Sequence, residues 1–308
     1  MDVTTFRVDL VRTVDESYPV VVGRRLDERI AQFLERHRDQ RIAVVTDSTV
    51  ESLAVPALAA ALGDRAFDVF AFPAGEASKT RAVKERLEDA MIARGFGRDS
   101  VVVALGGGVV TDLAGFLAAT FTRGVPYVSA PTTLLAAADA AVGGKTAVDT
   151  PAATNLIGAF HQPSAVFVDL DRWLTLSDRH IREGLGETVK HACLADAAFF
   201  GALEDAFVRQ GMTPAQFVRD DALAELTARR NCEIKRDFVV SDVHEGNRRM
   251  GLNLGHTIGR ALETAMGYEM NHGECVAVGL ALQARLGERH GYVGAADVAR
   301  VEALLRSI

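Results

Sequence analysis

Two histidines and one glutamate in the second half of the chain have the side-chain types that bind transition metals. His256 and His272 each stand beside a glycine in residues 249–274 (RMGLNLGHTIGRALETAMGYEMNHGE), a pattern that predicts a helix, a loop and the start of a second helix. Glu187, in GLGETVKHA at residues 184–192, offers a third ligand. A His, His, Glu set leaves one coordination position for a substrate, which is typical of catalytic rather than structural zinc.

A single helical histidine is more often a surface or hydrogen-bonded residue than a ligand, so the pattern has an ordinary interpretation as well. That interpretation is weakened by the polar residues near the candidate ligands, namely Lys190, Arg249 and Asn253. Three such groups are more than one ordinary helical core accommodates, because buried polar groups need partners.

A glycine-rich turn offers a place for a phosphate or pyrophosphate. In LGGGVVTD, residues 105–112, three glycines separate an apolar strand from a helix. Glycine lets the backbone approach a ligand closely, and the helix N-terminus presents free N–H groups to an anion. A tight turn in any α/β domain would explain the glycines equally well, since the motif differs from GxGxxG.

Polar residues follow two other predicted strands. Thr132 and Thr133 follow one strand and could bond a ribose or a phosphate, while Asp139 lies in an Ala-rich stretch and Lys145 follows two glycines. The alternatives are a helix cap for Asp139 and a solvated loop charge for Lys145. In PAGEASKT, residues 73–80, Glu76 suits ribose hydroxyls, although capping by Ser78 explains the segment nearly as well.

The elements that would position these residues fall into two kinds. Alternating Val-rich residues predict edge or hairpin strands over residues 5–22, and apolar strands alternate with helices from 24 to 121. This alternation predicts a parallel sheet covered on both faces. From residue 178 onward, Ala/Leu-periodic segments predict helices without a convincing strand. We therefore expect an α/β domain over residues 1–177 and a helical domain over residues 178–308.

Composition restricts the function classes. The net charge of −7 over 308 residues argues against a nucleic-acid-binding protein. Three widely spaced cysteines fit a reduced compartment, and neither a membrane-spanning apolar run nor a signal sequence is evident. The expectation is a cytoplasmic enzyme acting on a small molecule.

Several motifs in one order resemble 3-dehydroquinate synthase and the related sugar phosphate cyclases. They are GGGVVTDLAGF, TRGV, PTTLLAAADAAVGGKTAVDTP, NLIGAFHQP, GLGETVKH, RRMGLNLGHTIG and HGE, and they span roughly residues 40–290. The resemblance implies a Rossmann-like NAD-binding domain, a helical metal-binding domain, zinc or cobalt in the cleft, and a homodimer. It also implies a carbon–oxygen lyase of the shikimate pathway that converts a 2-keto-3-deoxy-heptulosonate 7-phosphate to a carbocycle. NAD acts there as a catalyst that is reduced and reoxidised within one turnover.

The resemblance also implies roles for individual residues. The metal ligands are Glu187, His256 and His272. Lys190 and Asp139 bond the substrate hydroxyls and move their protons, and Lys235 and Arg249 bind a substrate carboxylate. Residues around the substrate, mostly at its phosphate, are Lys145, Asn155, Asn253, and Arg123 from a partner subunit. The positions matched to NAD are Asp47, Glu76, Lys79, Gly107, Gly108, Asp112, Thr132, Thr133 and Thr175.

The chain departs from the family pattern on the anion side of the pocket. Thr154 replaces a lysine, and Arg260 replaces a histidine that contacts the substrate, which keeps the charge but loses proton transfer near neutral pH. Thr111 replaces a glycine in the pyrophosphate turn. The chain ends at Ile308, whereas family members continue through further helices with a Lys-Lys segment.

These departures leave alternatives open. The substrate could belong to the amino-dehydroquinate, valiolone or inosose branch, although Lys235 and Arg249 favour one with a carboxylate. An oxidoreductase of the glycerol-dehydrogenase type shares the architecture but needs no such set of anion-binding residues. A truncated, inactive paralogue would bind no metal.

Overall fold

The computed structural model describes residues 4–267 and 269–308. Its strands are β1 (Val20–Gly23), β2 (Arg41–Asp47), β3 (Phe67–Phe72), β4 (Ser100–Gly106), β5 (Tyr127–Pro131), β6 (Lys145–Thr150), β7 (Ala153–Phe160) and β8 (Ala165–Asp169). Six of them form one parallel sheet in the order β1-β8-β5-β4-β2-β3, whereas β6 and β7 pair as an antiparallel hairpin.

The helices of the α/β half are α1 (Asp27–Leu34), α2 (Ser48–Leu62), α3 (Arg81–Ala93), α4 (Gly108–Thr120) and α5 (Leu134–Ala138). Those that follow the sheet are α6 (Asp178–Ala195), α7 (Ala197–Leu203), α8 (Pro214–Phe217), α9 (Asp221–Ser241), α10 (His256–Ala265), α11 (His272–Arg289) and α12 (Ala295–Ser307). None of the helices described is long and apolar enough to cross a membrane.

Continuous apolar strands explain the parallel sheet. Every residue of β4, with the sequence SVVVALG, is buried, because helices cover both faces of the sheet. One apolar cluster joins α3 and α4 to one face, and a second cluster joins α1 and α2 to the other. The predicted fold class, a Rossmann-like α/β half followed by a helical half, is confirmed.

The order of the sheet creates a crevice at its carboxyl edge. From β3 the chain crosses to the far side of β2 to form β4, so the strand order reverses between β2 and β4. In open α/β sheets, ligands bind where the connections leave in opposite directions at such a point. The residues that follow β2, β3, β4 and β5 therefore meet along one edge.

Two segments differ from the sequence-based prediction. The prediction of strands over residues 5–22 is wrong for residues 5–19, since only β1 pairs, with β8. The β6–β7 hairpin was not predicted, because β6 (KTAVDT) is mostly polar and β7 is mostly exposed, so neither has the pattern of a buried strand. Gly158 is required in the hairpin, since a Cβ there would lie 1.9 Å from the Thr146 carbonyl oxygen.

A buried polar network fixes α6 against α9. The Asn231 side chain donates to Thr188 Oγ1 (2.9 Å) and lies 3.0 Å from His191 Nδ1, and all three residues are fully buried. Burial and the nearby Lys190 ammonium lower the pKa of His191 to about 4, so its imidazole is neutral. This network sets the alignment of the two helices that carry Glu187, Lys190 and Lys235.

Candidate metal centre and anion cavity

Three helices bring the candidate metal ligands together. Glu187 is fully buried on α6, while His256 and His272 are the first residues of α10 and α11. Their ligand atoms all lie within 4.8 Å of one another, and each histidine Nε2 is 3.5 Å from Glu187 Oε1. Glu187, His256 and His272 are therefore close enough to one another to bind a single metal ion.

Glycine and a capping box explain how the two histidines reach this point. Gly255, in the left-handed conformation with φ 79°, turns the chain into α10, and a Cβ there would lie 2.9 Å from the Val276 carbonyl oxygen of α11. Asn271 and Glu274 cap the start of α11 reciprocally, which fixes the position of His272. Both helix starts are thus held at short distance from α6.

The charge around Glu187 is compensated by its neighbours. Burial opposes ionisation of this carboxylate, but Lys190 and the two histidines hold its pKa well below the usual range. Lys190 Nζ forms a close ion pair with Glu187 Oε2, yet neither carboxylate oxygen accepts a well-directed hydrogen bond from a described residue. A buried carboxylate with free acceptor positions is suited to a cation.

A second ion pair lies beside this centre. Lys235 on α9 donates to Asp139 Oδ1 at 2.6 Å and to the Asp139 carbonyl oxygen, at the end of α5. Burial opposes ionisation of Asp139, but Lys235 and Lys190 hold its pKa well below the usual range. Asp139 is therefore an acceptor of hydrogen bonds at neutral pH.

A cavity of about 480 Å³ opens beside these residues, between the β6–β7 hairpin and the helices. Five cationic and three carboxylate side chains line it, in a protein whose net charge is −7. The predicted site residues that line it are Asp112, Asp139, Lys145, Asn155, Lys190, Lys235, Arg249, Asn253, His256 and Arg260. A local excess of positive charge favours an anionic ligand.

The cations of the cavity are held in different ways. Arg249 is 1% exposed and donates to the carbonyl oxygens of Val243 (2.6 Å) and Gly143 (2.9 Å). Lys145 at the start of β6 instead forms an ion pair with Glu245, which also accepts from Asn253 at 3.0 Å. Glu245 was missed from the sequence, where the only signal is a glutamate four residues before Arg249.

The remaining predicted residues divide by position. Along the carboxyl edge of the sheet lie Asp47 at the end of β2, Glu76 and Lys79 after β3, Gly107 and Gly108 after β4, and Thr132 and Thr133 after β5. By contrast, Arg123 is exposed and absent from the cavity of its own chain. Thr175 is exposed too, and its hydroxyl donates to the Arg172 carbonyl oxygen at 2.8 Å.

Local contacts at the sheet edge suit a dinucleotide. Gly107 precedes α4 as its N-cap, and a Cβ there would lie 3.3 Å from the Thr133 side chain, so a larger residue would need that side chain to move by a few tenths of an ångström. The hydroxyl of Thr111 donates to the Gly108 carbonyl oxygen of its own helix at 3.0 Å.

Lys79 connects the sheet edge to the hairpin. Its ammonium lies 2.6 Å from Asp112 Oδ2 and donates to Asn155 Oδ1 at 2.6 Å. Burial opposes its charge, but Asp112 and Glu76 raise its pKa above the usual range. A candidate cofactor residue and a candidate substrate residue thus share one cation.

The fold and the site together define a class: an α/β protein whose sheet-edge crevice faces a helical half that carries a Glu-His-His centre and a cationic cavity. The family models for the N-terminal and C-terminal parts of 3-dehydroquinate synthase match residues 69–183 and 184–308. The chain belongs to the 3-dehydroquinate synthase family.

Individual relatives agree with this assignment. The 3-dehydroquinate synthase of Neisseria meningitidis serogroup C is 41% identical over 300 residues, which cover 96% of this chain and 82% of the relative. The 2-epi-5-epi-valiolone synthase of Streptomyces hygroscopicus, solved with NAD⁺ and Zn²⁺, aligns with a TM-score of 0.87 and 33% identity, over 98% of this chain and 84% of that one. A 2-deoxy-scyllo-inosose synthase, solved with carbaglucose-6-phosphate, NAD⁺ and Co²⁺, aligns with a TM-score of 0.83 and 28% identity, over 94% and 79%.

Proposed function

We propose that this chain is a metal- and NAD-dependent lyase of the 3-dehydroquinate synthase type. Its substrate is a 2-keto-3-deoxy-heptulosonate 7-phosphate, which it converts to a carbocycle with release of phosphate. The observation that carries the proposal is the Glu-His-His centre beside a cationic cavity, next to a dinucleotide-type crevice. The family and the relatives that bind NAD⁺ with Zn²⁺ or Co²⁺ support it.

The donor set suits the metal. Two imidazole Nε2 atoms and one carboxylate, all within 4.8 Å, are the ligands preferred by Zn²⁺ and also accepted by Co²⁺. The carboxylate of Glu187 is fully buried and has acceptor positions free for a cation. When bound, the metal polarises a substrate hydroxyl oxygen, which eases its oxidation.

The sheet edge suits NAD, which supplies reversible hydride transfer. The residues that we assign to it are Asp47, Glu76, Lys79, Gly107, Gly108, Asp112, Thr132, Thr133 and Thr175. The N-terminus of the 13-residue helix α4 presents free N–H groups to the pyrophosphate. Asp112 and Glu76, held beside Lys79, offer carboxylates for ribose hydroxyls.

The protein side chains then act on the substrate. Lys190 and Asp139 bond its hydroxyls and hold their protons, since Lys190 lies against Glu187 and Asp139 is kept ionised. Lys235 and Arg249 bind the carboxylate, while Lys145, Asn155, Asn253 and Arg260 surround the phosphate. Arg123 is assigned to the phosphate bound in the partner subunit of a homodimer, an assignment supported by its exposed position outside the cavity of its own chain.

Finer points of the assignment are proposals too. Zinc is favoured over cobalt because the structural relative with the higher identity, the valiolone synthase, holds Zn²⁺. A cytoplasmic location is supported by three cysteines that form no disulfide. The domain division at residues 177 and 178 is supported by the change from strands to helices at α6.

The test supplies 3-deoxy-arabino-heptulosonate 7-phosphate, NAD⁺ and Zn²⁺ and follows inorganic phosphate together with NADH absorbance. Phosphate release without net NADH is expected, because a cyclase reoxidises its cofactor. Net NADH would favour an oxidoreductase. Absence of both from metal- and NAD-loaded protein would refute this substrate, and sedoheptulose 7-phosphate would then be tested.

Ligand variants test the metal centre in the same assay. Glu187→Ala and His272→Ala should lose bound Zn²⁺ and phosphate release together, because each removes one of three ligands. Metal content is measured by atomic emission. A variant that turns over with an empty site would contradict the ligand set.

A further inference from the structure

A carboxylate lies directly behind one of the candidate metal ligands. Glu263 stands two turns after His256 on α10, and its side chain is only 12% exposed. Its Oε1 lies 2.7 Å from Nδ1 of His272 on the neighbouring helix α11. The ring therefore lies between two carboxylates, because its Nε2 faces Glu187 Oε1 at 3.5 Å.

These contacts determine which ring nitrogen carries the proton. Glu263 Oε1 is within hydrogen-bond distance of Nδ1 at 2.7 Å, whereas Glu187 Oε1 is 3.5 Å from Nε2, so the Nδ1 hydrogen is donated to Glu263 and Nε2 is the nitrogen whose lone pair is available when a metal binds. His256 is oriented in the same sense, because its Nδ1 lies 3.3 Å from the Leu254 carbonyl oxygen and its Nε2 faces Glu187. The two ligands differ in that one has a charged acceptor and the other a neutral one.

The difference in acceptor follows the difference in burial. The side chain of His256 is 7% exposed and is held by packing, whereas that of His272 is 34% exposed. The capping box of Asn271 and Glu274 fixes where α11 begins but does not include the imidazole of His272. A charged hydrogen bond, stronger than a neutral one, restrains the more exposed ring.

We propose that Glu263 is a positioning residue of the metal centre. It holds His272 in the Nδ1–H tautomer with Nε2 directed at the metal. Its negative charge also makes Nε2 more basic and therefore a stronger metal ligand. This inference rests on the proposed function, because it needs the metal that Glu187, His256 and His272 would bind.

Two variants and one control test the role. Glu263→Ala should weaken Zn²⁺ binding by roughly 10- to 100-fold, measured by competition with a chelator. Glu263→Gln should weaken it less, since the amide oxygen still accepts from Nδ1 but carries no charge. Glu288→Gln makes the same change at an exposed position of α11 and should bind Zn²⁺ like the wild type.

A second readout separates positioning from a general loss of structure. Long-range ¹H–¹⁵N NMR of the Zn²⁺-loaded protein should show His272 only as the Nδ1–H tautomer in the wild type. In the same Zn²⁺-loaded state, the Nδ1–H proton of His272 should exchange with solvent faster in Glu263→Ala than in the wild type or in Glu263→Gln, because only the alanine variant lacks an acceptor for it. If the alanine variant fails to fold, the glutamine variant still tests the charge effect on affinity.

The outcomes distinguish the two proposals. A wild type that binds Zn²⁺ and an alanine variant with the same affinity and the same exchange rate of the His272 Nδ1–H proton would overturn the role of Glu263 alone. A wild type that binds no Zn²⁺ would overturn the metal-dependent function and this role together.

Discussion

Replacement of Lys235 by methionine removes one of the two cations assigned to the substrate carboxylate. Methionine keeps most of the aliphatic length, so the change removes mainly the ammonium group, which belongs to a residue only 5% exposed. A charge-assisted hydrogen bond contributes about 1.5–3 kcal/mol, which corresponds to a fall in kcat/KM of roughly 10- to 150-fold. We expect most of this loss in KM, because a bound carboxylate has the same charge in the ground state and the transition state.

The variant also removes the partner of Asp139, so protein stability must be measured separately. Truncating one partner of a fully buried ion pair costs roughly 3–5 kcal/mol of unfolding free energy. The Asp139 side chain is 37% exposed and lies near the Lys190 charge, so the cost should fall below that range. Urea unfolding of the wild type and the variant measures this difference in unfolding free energy directly.

Steady-state phosphate release is the assay, with Arg236→Met as the matched control. Arg236 is the next residue on α9, is exposed and pairs with Asp237 at the surface, so its loss should change kcat/KM by about twofold at most. Sedoheptulose 7-phosphate has no carboxylate, so its inhibition constant should be the same for wild type and Lys235→Met. An unchanged KM for the heptulosonate would refute the assignment of Lys235.

Two further predictions concern the partner subunit and the buried network. If Arg123 acts in trans, a mixture of inactive Arg123→Ala and inactive Glu187→Ala protein should regain phosphate release, because one site of the mixed dimer is intact. Absence of recovery would contradict this once co-purification of two differently tagged variants has shown that subunits exchange. The pKa of His191 is lowered to about 4 from 6.5, so the unfolded chain alone takes up a proton as pH falls through this window and stability declines by up to about 3 kcal/mol. His191→Gln should flatten the dependence of the unfolding free energy on pH between 6.5 and 4, and a slope parallel to that of the wild type would show that His191 is not its source.

The sequence predicted the strands and helices correctly where the residues of a single element have a distinctive pattern of their own. Strand β4 is apolar from Val101 to Leu105 and ends in glycines, so burial on both faces could be inferred without its neighbours. Strands at the edge are different, because pairing depends on a partner elsewhere. The alternation in residues 5–19 resembles a strand, yet no described strand pairs with it.

For the site, the residues alone indicated a metal centre, whereas the individual roles came from the family resemblance. The ion pair between Lys235 and Asp139 joins residues 96 positions apart, and that between Lys145 and Glu245 joins residues 100 apart. Such contacts arise from the packing of whole helices, and no local pattern encodes them. Glu263 is a further case, because it precedes its contact at residue 272 by 9 positions and reaches it only through the packing of α10 against α11.

The buried network of Thr188, His191 and Asn231 has a consequence for how this enzyme can change over time. Sliding α6 along α9 by one residue would leave these polar groups without partners, at roughly 1–3 kcal/mol for each group. The spacing between Lys190 and Lys235 is therefore set by side chains that never meet the substrate. Mutations within the cavity can therefore alter which substrate is bound while the two helices keep their alignment. New specificities can arise without a change in the packing of α6 against α9.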